Sequence, residues 1–178
     1  MDRIKEEFLE LSRNPISNCG VIVGLENGNN YRLWKASMLG PKDSGYKGGI
    51  FYMNIQFPEE YPLKPPVVYF LTPIYHLNIN PKAPRKSGDE PLGYVNISTL
   101  NYWNPETRIR QVLVNIFALL YKPNPFPCYG IDRAEEFIKN LAVYYEKTKY
   151  FTKKYAYPIH SNKIYSRTED WDFNIKDL

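Results

Sequence analysis

The spacing of apolar positions changes along the chain, and the changes divide it into elements. Over residues 2–13, Ile4, Phe8 and Leu11 recur at near-helical intervals with charges between them. This predicts an amphipathic surface helix with Arg3, Lys5 and Glu6 on its exposed face. Asn14-Pro15 ends it, because proline disfavours helix in the residue before it. The period then shortens. Residues 19–24 form a short apolar run, residues 26–30 a turn cluster of Asn and Gly, and residues 31–38 a second run with Trp34, Ala36 and Met38 on one face. Residues 50–57 alternate again, with Phe51, Met53, Ile55 and Phe57 on one side, and residues 67–71 make a fourth run. The prolines of residues 58–66 fix φ and remove donors, so that stretch is an ordered irregular loop. Turn-bounded strands in sequence predict an antiparallel meander. Helical spacing returns over residues 107–120, where Ile109, Val112, Leu113, Ile116 and Leu120 line one face behind Asn104-Pro105. Asp132 and Glu135 have the spacing of an N-cap and its reciprocal partner. They open a helix carrying Phe137, Ile138, Leu141 and Tyr145, extending with or without a break to about Tyr155. From Pro158 onward the periodicity is weak and no element is assigned. Helix, four strands, long loop and helices in that order make an α+β domain.

The chain has 178 residues and 43% hydrophobic content, enough for one domain with a sizeable core. Its formal net charge of +4 comes from interleaved signs, without a basic block carrying aromatics, so nucleic-acid binding is not expected. No apolar run has the length of a membrane span, and the N-terminus does not read as a signal peptide; the expectation is a soluble protein of the cytoplasm, the nucleus or both. Cys19 and Cys128 make no disulfide framework, and His76 and His160 have no metal-ligand spacing, so no metal and no cofactor are expected. The stretch 74–105, between the last strand and the central helix, has the layout of an active-site loop yet holds no cysteine.

Several ordered motifs are specific enough to name a family. Residues 3–19 resemble the first helix and strand entry of the ubiquitin-conjugating enzymes. Residues 40–66 resemble their second hairpin and proline loop, and residues 74–80 their His-Pro-Asn motif with its flanks. Trp103-Asn104-Pro105 resembles the tryptophan and proline before their central helix, Pro123-Asn124-Pro125 the turn after it, and residues 151–156 the end of their last helix. The resemblance covers residues 1–157 and implies that family's fold; residues 158–178 are a C-terminal extension. It also implies a chemistry. A cysteine takes ubiquitin as a thioester and an amine attacks it, which needs a reachable thiolate, an oxyanion donor and help in removing the amine's proton.

The sequence departs from that pattern at the chemistry itself. Gly93-Tyr94-Val95-Asn96-Ile97 fills the family's cysteine pattern with Asn96 at the nucleophile position, and an amide cannot form a thioester. Leu77 stands where the motif has proline, while Asn78 keeps the asparagine; Asn78 and His76 are expected to brace the loop. Residues 81–92 form an excursion roughly ten residues longer than the minimal core, expected to be exposed. Phe126-Pro127-Cys128-Tyr129 replaces the stretch where active members carry a carboxylate. Cys128 lies by resemblance beside the groove and is a weak candidate for a displaced nucleophile; Cys19 is expected to be structural.

The resemblance places partner docking at Arg3, Lys5, Leu63, Asn104, Pro105 and Glu106, with Leu63 replacing a phenylalanine and Glu106 a small residue. The implied partners are ubiquitin or a ubiquitin-like protein, an active conjugating enzyme, or a ubiquitin ligase. The reading is a catalytically inactive variant acting as a binding partner or adaptor in these pathways. Its rivals are an active enzyme, through Cys128 or with its native cysteine replaced by Asn96, and an adaptor unrelated to ubiquitin.

Overall fold

The computed structural model describes residues 2–157; the extension at residues 158–178 lies outside them. Helix α1 (Arg3–Arg13) starts with Asp2, whose carboxylate accepts the Ile4 N–H at 3.2 Å, and a 3₁₀ turn over Ser17–Cys19 follows. The apolar run at residues 19–24 thus splits: Cys19 sits in the turn and strand β1 spans Ile22–Leu25. Strands β2 (Leu33–Leu39), β3 (Ile50–Gln56) and β4 (Val67–Phe70) complete an antiparallel sheet in the order β1-β2-β3-β4, the predicted meander. Because strand side chains alternate, Trp34, Ala36 and Met38 on β2 and Phe51, Met53 and Ile55 on β3 all fall on one face, and all are buried.

A short helix, α2 (Ser98–Asn101), interrupts the stretch read as loop. The central helix α3 spans Ile109–Tyr121 and buries Ile109, Val112, Leu113, Ile116 and Leu120, the full predicted stripe, in one core with the sheet and α1. Burying a side chain of this size contributes about 1.5–3 kcal/mol. Helix α4 (Ile131–Lys139) begins at Gly130, and Asp132 makes no side-chain cap, against expectation. Asn140 breaks it from α5 (Leu141–Phe151), which ends in a π-helical turn over Thr152–Ala156. Ile138 and Leu141 are exposed, and the helices are held instead by a second cluster of Tyr75, Leu77, Tyr144, Phe151 and Tyr155. Gly45 lets the β2–β3 connection approach α5, since a Cβ there would meet Thr148 Oγ1 at 1.7 Å. Among the described residues no helix is long and apolar enough to cross a membrane.

Candidate functional site

Residues 93–96 run between two supports. Gly93 and Val95 pair with the edge of β4, as the Phe70 N–H donates to Gly93 O at 2.8 Å and the Val95 N–H to Val68 O at 3.0 Å. On the other side, the Asn96 N–H donates to Asn78 O at 2.9 Å. Asn96 is therefore held by the β4 edge and the 74–80 segment together. Its Oδ1 accepts from Asn101 Nδ2 at 2.6 Å, across the short helix α2. Beside it runs a groove of about 330 Å³, walled by Asn96, Ile97, Ser98 and Thr99 on one side, by Asn115, Ala118, Leu119 and Lys122 on the other, and closed by Asn124 and Pro127. Amides, hydroxyls and one ammonium line this groove; among the described residues no carboxylate, imidazole or thiol does.

Asn78 is buried, and its amide is fully committed. Nδ2 donates to Asn124 O at 2.7 Å and Pro127 O at 2.8 Å, and Oδ1 accepts the Asn124 N–H at 2.9 Å. An amide carries two donor hydrogens, so none is left to offer a developing oxyanion in this arrangement. Replacing Asn78 by alanine strands three backbone partners in the 124–127 loop. The expected loss is about 2 kcal/mol in chemical denaturation, with amide exchange rising at Asn124; a loss under about 0.5 kcal/mol, within the range of an ordinary surface change, would contradict this bracing geometry.

His76 is fully buried. Its Nδ1 accepts the Asn78 N–H at 2.9 Å, so the proton of the neutral ring resides on Nε2, which donates to Leu119 O at 3.1 Å. Burial pushes its pKa down to about 4, with Arg133 adding to the effect and the Leu119 carbonyl opposing it. Leu77, where the resemblance expects proline, lies at the centre of the second cluster, and its N–H donates to Tyr144 Oη at 3.3 Å, a bond proline could not make.

The structure parts Cys128 from the groove: it packs against the Tyr75, Leu77 and Tyr144 cluster, its Sγ directed to Gly130 O at 3.7 Å. Cys19 is buried, and that burial pushes its thiol pKa up. Tyr129 turns the other way and donates its hydroxyl to the Glu90 carboxylate of the 81–92 excursion. Among the described residues no three His, Cys, Asp or Glu side chains group as metal ligands.

The residues expected at a docking surface are brought together only in part. Leu63 is 75% exposed, and its loop is tied to the loop before α3 by the bond from Trp103 Nε1 to Pro62 O at 2.7 Å. Asn104 and Glu106 are exposed there, with Asn104 Oδ1 accepting the Glu106 N–H at 2.9 Å. Tyr102, next to Trp103 in the chain, is 85% exposed and was not among the residues expected there. Arg3 does not lie on an open face as expected. Its guanidinium donates to Glu7 Oε1, Pro105 O and Thr107 O, locking the loop in place. Lys5, roughly 200° further round the helix, sits over the Tyr31 ring at 5.5 Å and does not join the group. The residue that sequence reasoning missed is Glu7, a buried carboxylate joining α1, Tyr61 and the start of α3.

Helix, four-stranded meander, a braced loop with its groove, central helix and C-terminal helices occur here in one unit, and the family model for ubiquitin-conjugating enzyme matches it over residues 3–152. The chain belongs to the ubiquitin-conjugating enzyme family.

Proposed function

We propose that this protein is a non-catalytic member of its family, which binds ubiquitin, a ubiquitin-like protein, an active conjugating enzyme or a ligase without carrying a thioester. The observation that carries this reading is Asn96. By the family resemblance it takes the nucleophile's place, and it is held by Asn78 O and Asn101 on the wall of a groove that neither cysteine lines. Transthiolation needs a thiolate exposed to an incoming acyl group. Asn96 supplies a hydrogen-bonded amide instead. The other chemical parts fit the same reading. The Asn78 amide is spent on the 124–127 loop, His76 is buried and neutral, and among the described residues no carboxylate lines the groove to receive a proton from an attacking amine. The fold around these parts is intact, which supports a role for its surfaces, where Leu63 and Tyr102 are both exposed.

The test is direct. After incubation with activating enzyme, ATP and ubiquitin, no adduct cleaved by a reducing agent is expected. An adduct that disappears in the Cys128→Ser variant would overturn the reading in favour of a displaced nucleophile. Titration with ¹⁵N-labelled ubiquitin then separates partners: shifts are expected if ubiquitin itself is bound, and silence at millimolar concentration leaves the adaptor role to another protein.

A further inference from the structure

The turn between β1 and β2 carries a chemistry of its own, which stands whether or not the non-catalytic role of the groove holds. Asn27 is the one asparagine of the chain that is followed by glycine. Asn27 and Gly28 are both exposed at the tip of this turn. The Glu26 N–H closes its base by donating to Leu33 O at 3.1 Å, and the Asn30 N–H folds its tip by donating to Asn27 O at 2.8 Å. Asn30 spends its side chain on the Arg32 N–H at 2.9 Å. Among the described residues, neither the Asn27 side chain nor the Gly28 N–H has a hydrogen-bond partner. The fold does not ask for glycine at this place. Gly28 has no positive φ, and a Cβ there would meet nothing within 4 Å. What glycine supplies is an unshielded backbone nitrogen beside an unengaged amide.

Other asparagines lack part of this arrangement. Asn14, Asn80, Asn104 and Asn124 precede proline, which has no N–H to give up. Asn29 is exposed too, but the N–H it would need, that of Asn30, is already bonded to Asn27 O. Asn96 precedes the buried Ile97, whose β-branched side chain crowds its own nitrogen, and its Oδ1 is held by Asn101.

We propose that Asn27 is a site of spontaneous deamidation, at which the chain converts to aspartate and isoaspartate. Hydroxide takes the Gly28 N–H proton, and the nitrogen attacks Asn27 Cγ. The Cγ–Nδ2 bond breaks, and Nδ2 leaves as ammonia with a proton from water, closing a cyclic succinimide. Water then opens the ring. Addition at Cγ breaks the new bond and gives aspartate; addition at the backbone carbonyl gives isoaspartate, with the chain running through the former side chain. Nothing is oxidised or reduced, and water and hydroxide are the only co-reactants. Either product sets a carboxylate beside Glu26, which pairs with Lys35 at 2.7 Å. Isoaspartate also adds a methylene to the backbone of the turn. The strain falls on the end of the hairpin that holds α1, because Tyr31 and Trp34 both meet the Phe8 ring edge-on, at 5.6 and 5.2 Å.

The test ages the full chain in warm, mildly alkaline buffer. Peptide mass mapping finds where an amide has become an acid, and methyl transfer from labelled S-adenosylmethionine by an isoaspartyl methyltransferase counts the isoaspartate. The peptide holding Asn27 is expected to change first, at a rate that climbs with pH because the nitrogen must lose its proton. Gly28→Ala is expected to slow the change at least about tenfold, equivalent to a barrier raised by about 1.4 kcal/mol. Asn27→Gln is expected to remove the methyl-accepting signal. Both variants should melt with the fresh wild type, since Gly28 has room for a Cβ and Asn27 is exposed and unbonded. Aged wild type is expected to exchange the Glu26 amide faster than fresh protein, and aged Gly28→Ala to exchange it as fresh protein does. An equal rate in Gly28→Ala, or a first change at another asparagine, Asn96 included, would overturn the proposal.

Discussion

Glu7→Ala is expected to cost about 3–5 kcal/mol, the loss typical of removing one partner from a buried, hydrogen-bonded charge pair. Glu7 is 2% exposed in the middle of α1. Its Oε1 accepts from Arg3 Nε at 2.7 Å and from the Tyr61 hydroxyl at 2.8 Å, and its Oε2 accepts the Ile109 N–H at 2.6 Å. The last bond satisfies one of the orphan donors at the start of α3, and a carboxylate there is also favoured by the helix dipole. Alanine leaves the buried Ile109 N–H and Tyr61 hydroxyl without partners. It also frees Arg3, whose other bonds hold the carbonyls of Pro105 and Thr107. Urea denaturation should show the loss as a lower midpoint, and hydrogen exchange should show early opening at Ile109 and over residues 102–108. Glu7→Gln keeps the shape and one acceptor, so its loss should be smaller. A Glu7→Ala loss below about 1 kcal/mol would mean that water replaces the carboxylate and that the three elements are not coupled through it. Should the alanine variant fail to accumulate, the glutamine variant still reads the coupling through exchange at Ile109.

Stability is expected to fall by about 3 kcal/mol through His76 between pH 6.5 and pH 4. The neutral ring accepts from Asn78 and donates to Leu119 O, and burial holds its pKa down at about 4 against an ordinary 6.5. Above pH 6.5 neither the folded nor the unfolded chain carries the proton, and the group makes no difference. Below 6.5 the unfolded chain takes up a proton that the folded one refuses, so stability drops with pH at up to about 1.4 kcal/mol per pH step of one. Below about 4 both states are protonated and this contribution levels off. Denaturation midpoints at a series of pH values measure the total, and the imidazole resonance of His76 isolates the group: it should stay flat from pH 8 to pH 5. An inflection near 6.5 at that resonance would sink the account, since it would place the ring in water.

Much of the scaffold can be read along the chain. The meander and the stripe on α3 are visible because each rests on a local period, two residues for Trp34, Ala36 and Met38 and near 3.6 for Ile109, Val112, Leu113, Ile116 and Leu120. The stretch Gly93-Tyr94-Val95-Asn96-Ile97 is visible too, through its resemblance to a family motif that expects cysteine where Asn96 stands. Failures lie where a local signal competes with distant packing. Asp132 has the spacing of a cap, yet the chain enters α4 through Gly130 at φ 90°. Ile138 and Leu141 are apolar enough for a core, yet Tyr144 and Phe151 take it, because their rings reach Tyr75.

The same division runs through the site. By itself the sequence carried the resemblance to a ubiquitin-conjugating scaffold, a 93–97 pattern with Asn96 where that resemblance expects a cysteine, an excursion ahead of it and no carboxylate at residues 126–129. These follow from residue type and order alone. The tertiary structure decided what those residues do with their bonding groups. Asn78 spends its amide on residues 124 and 127, Glu7 reaches Ile109 at a separation of 102 residues, and Glu90 meets Tyr129. A polar side chain carries several donors or acceptors and no period, so its sequence neighbours do not say which distant backbone will satisfy it. In the interior that choice is forced, because a buried polar group left unpaired costs about 1–3 kcal/mol, and only the packed chain brings its partner within reach.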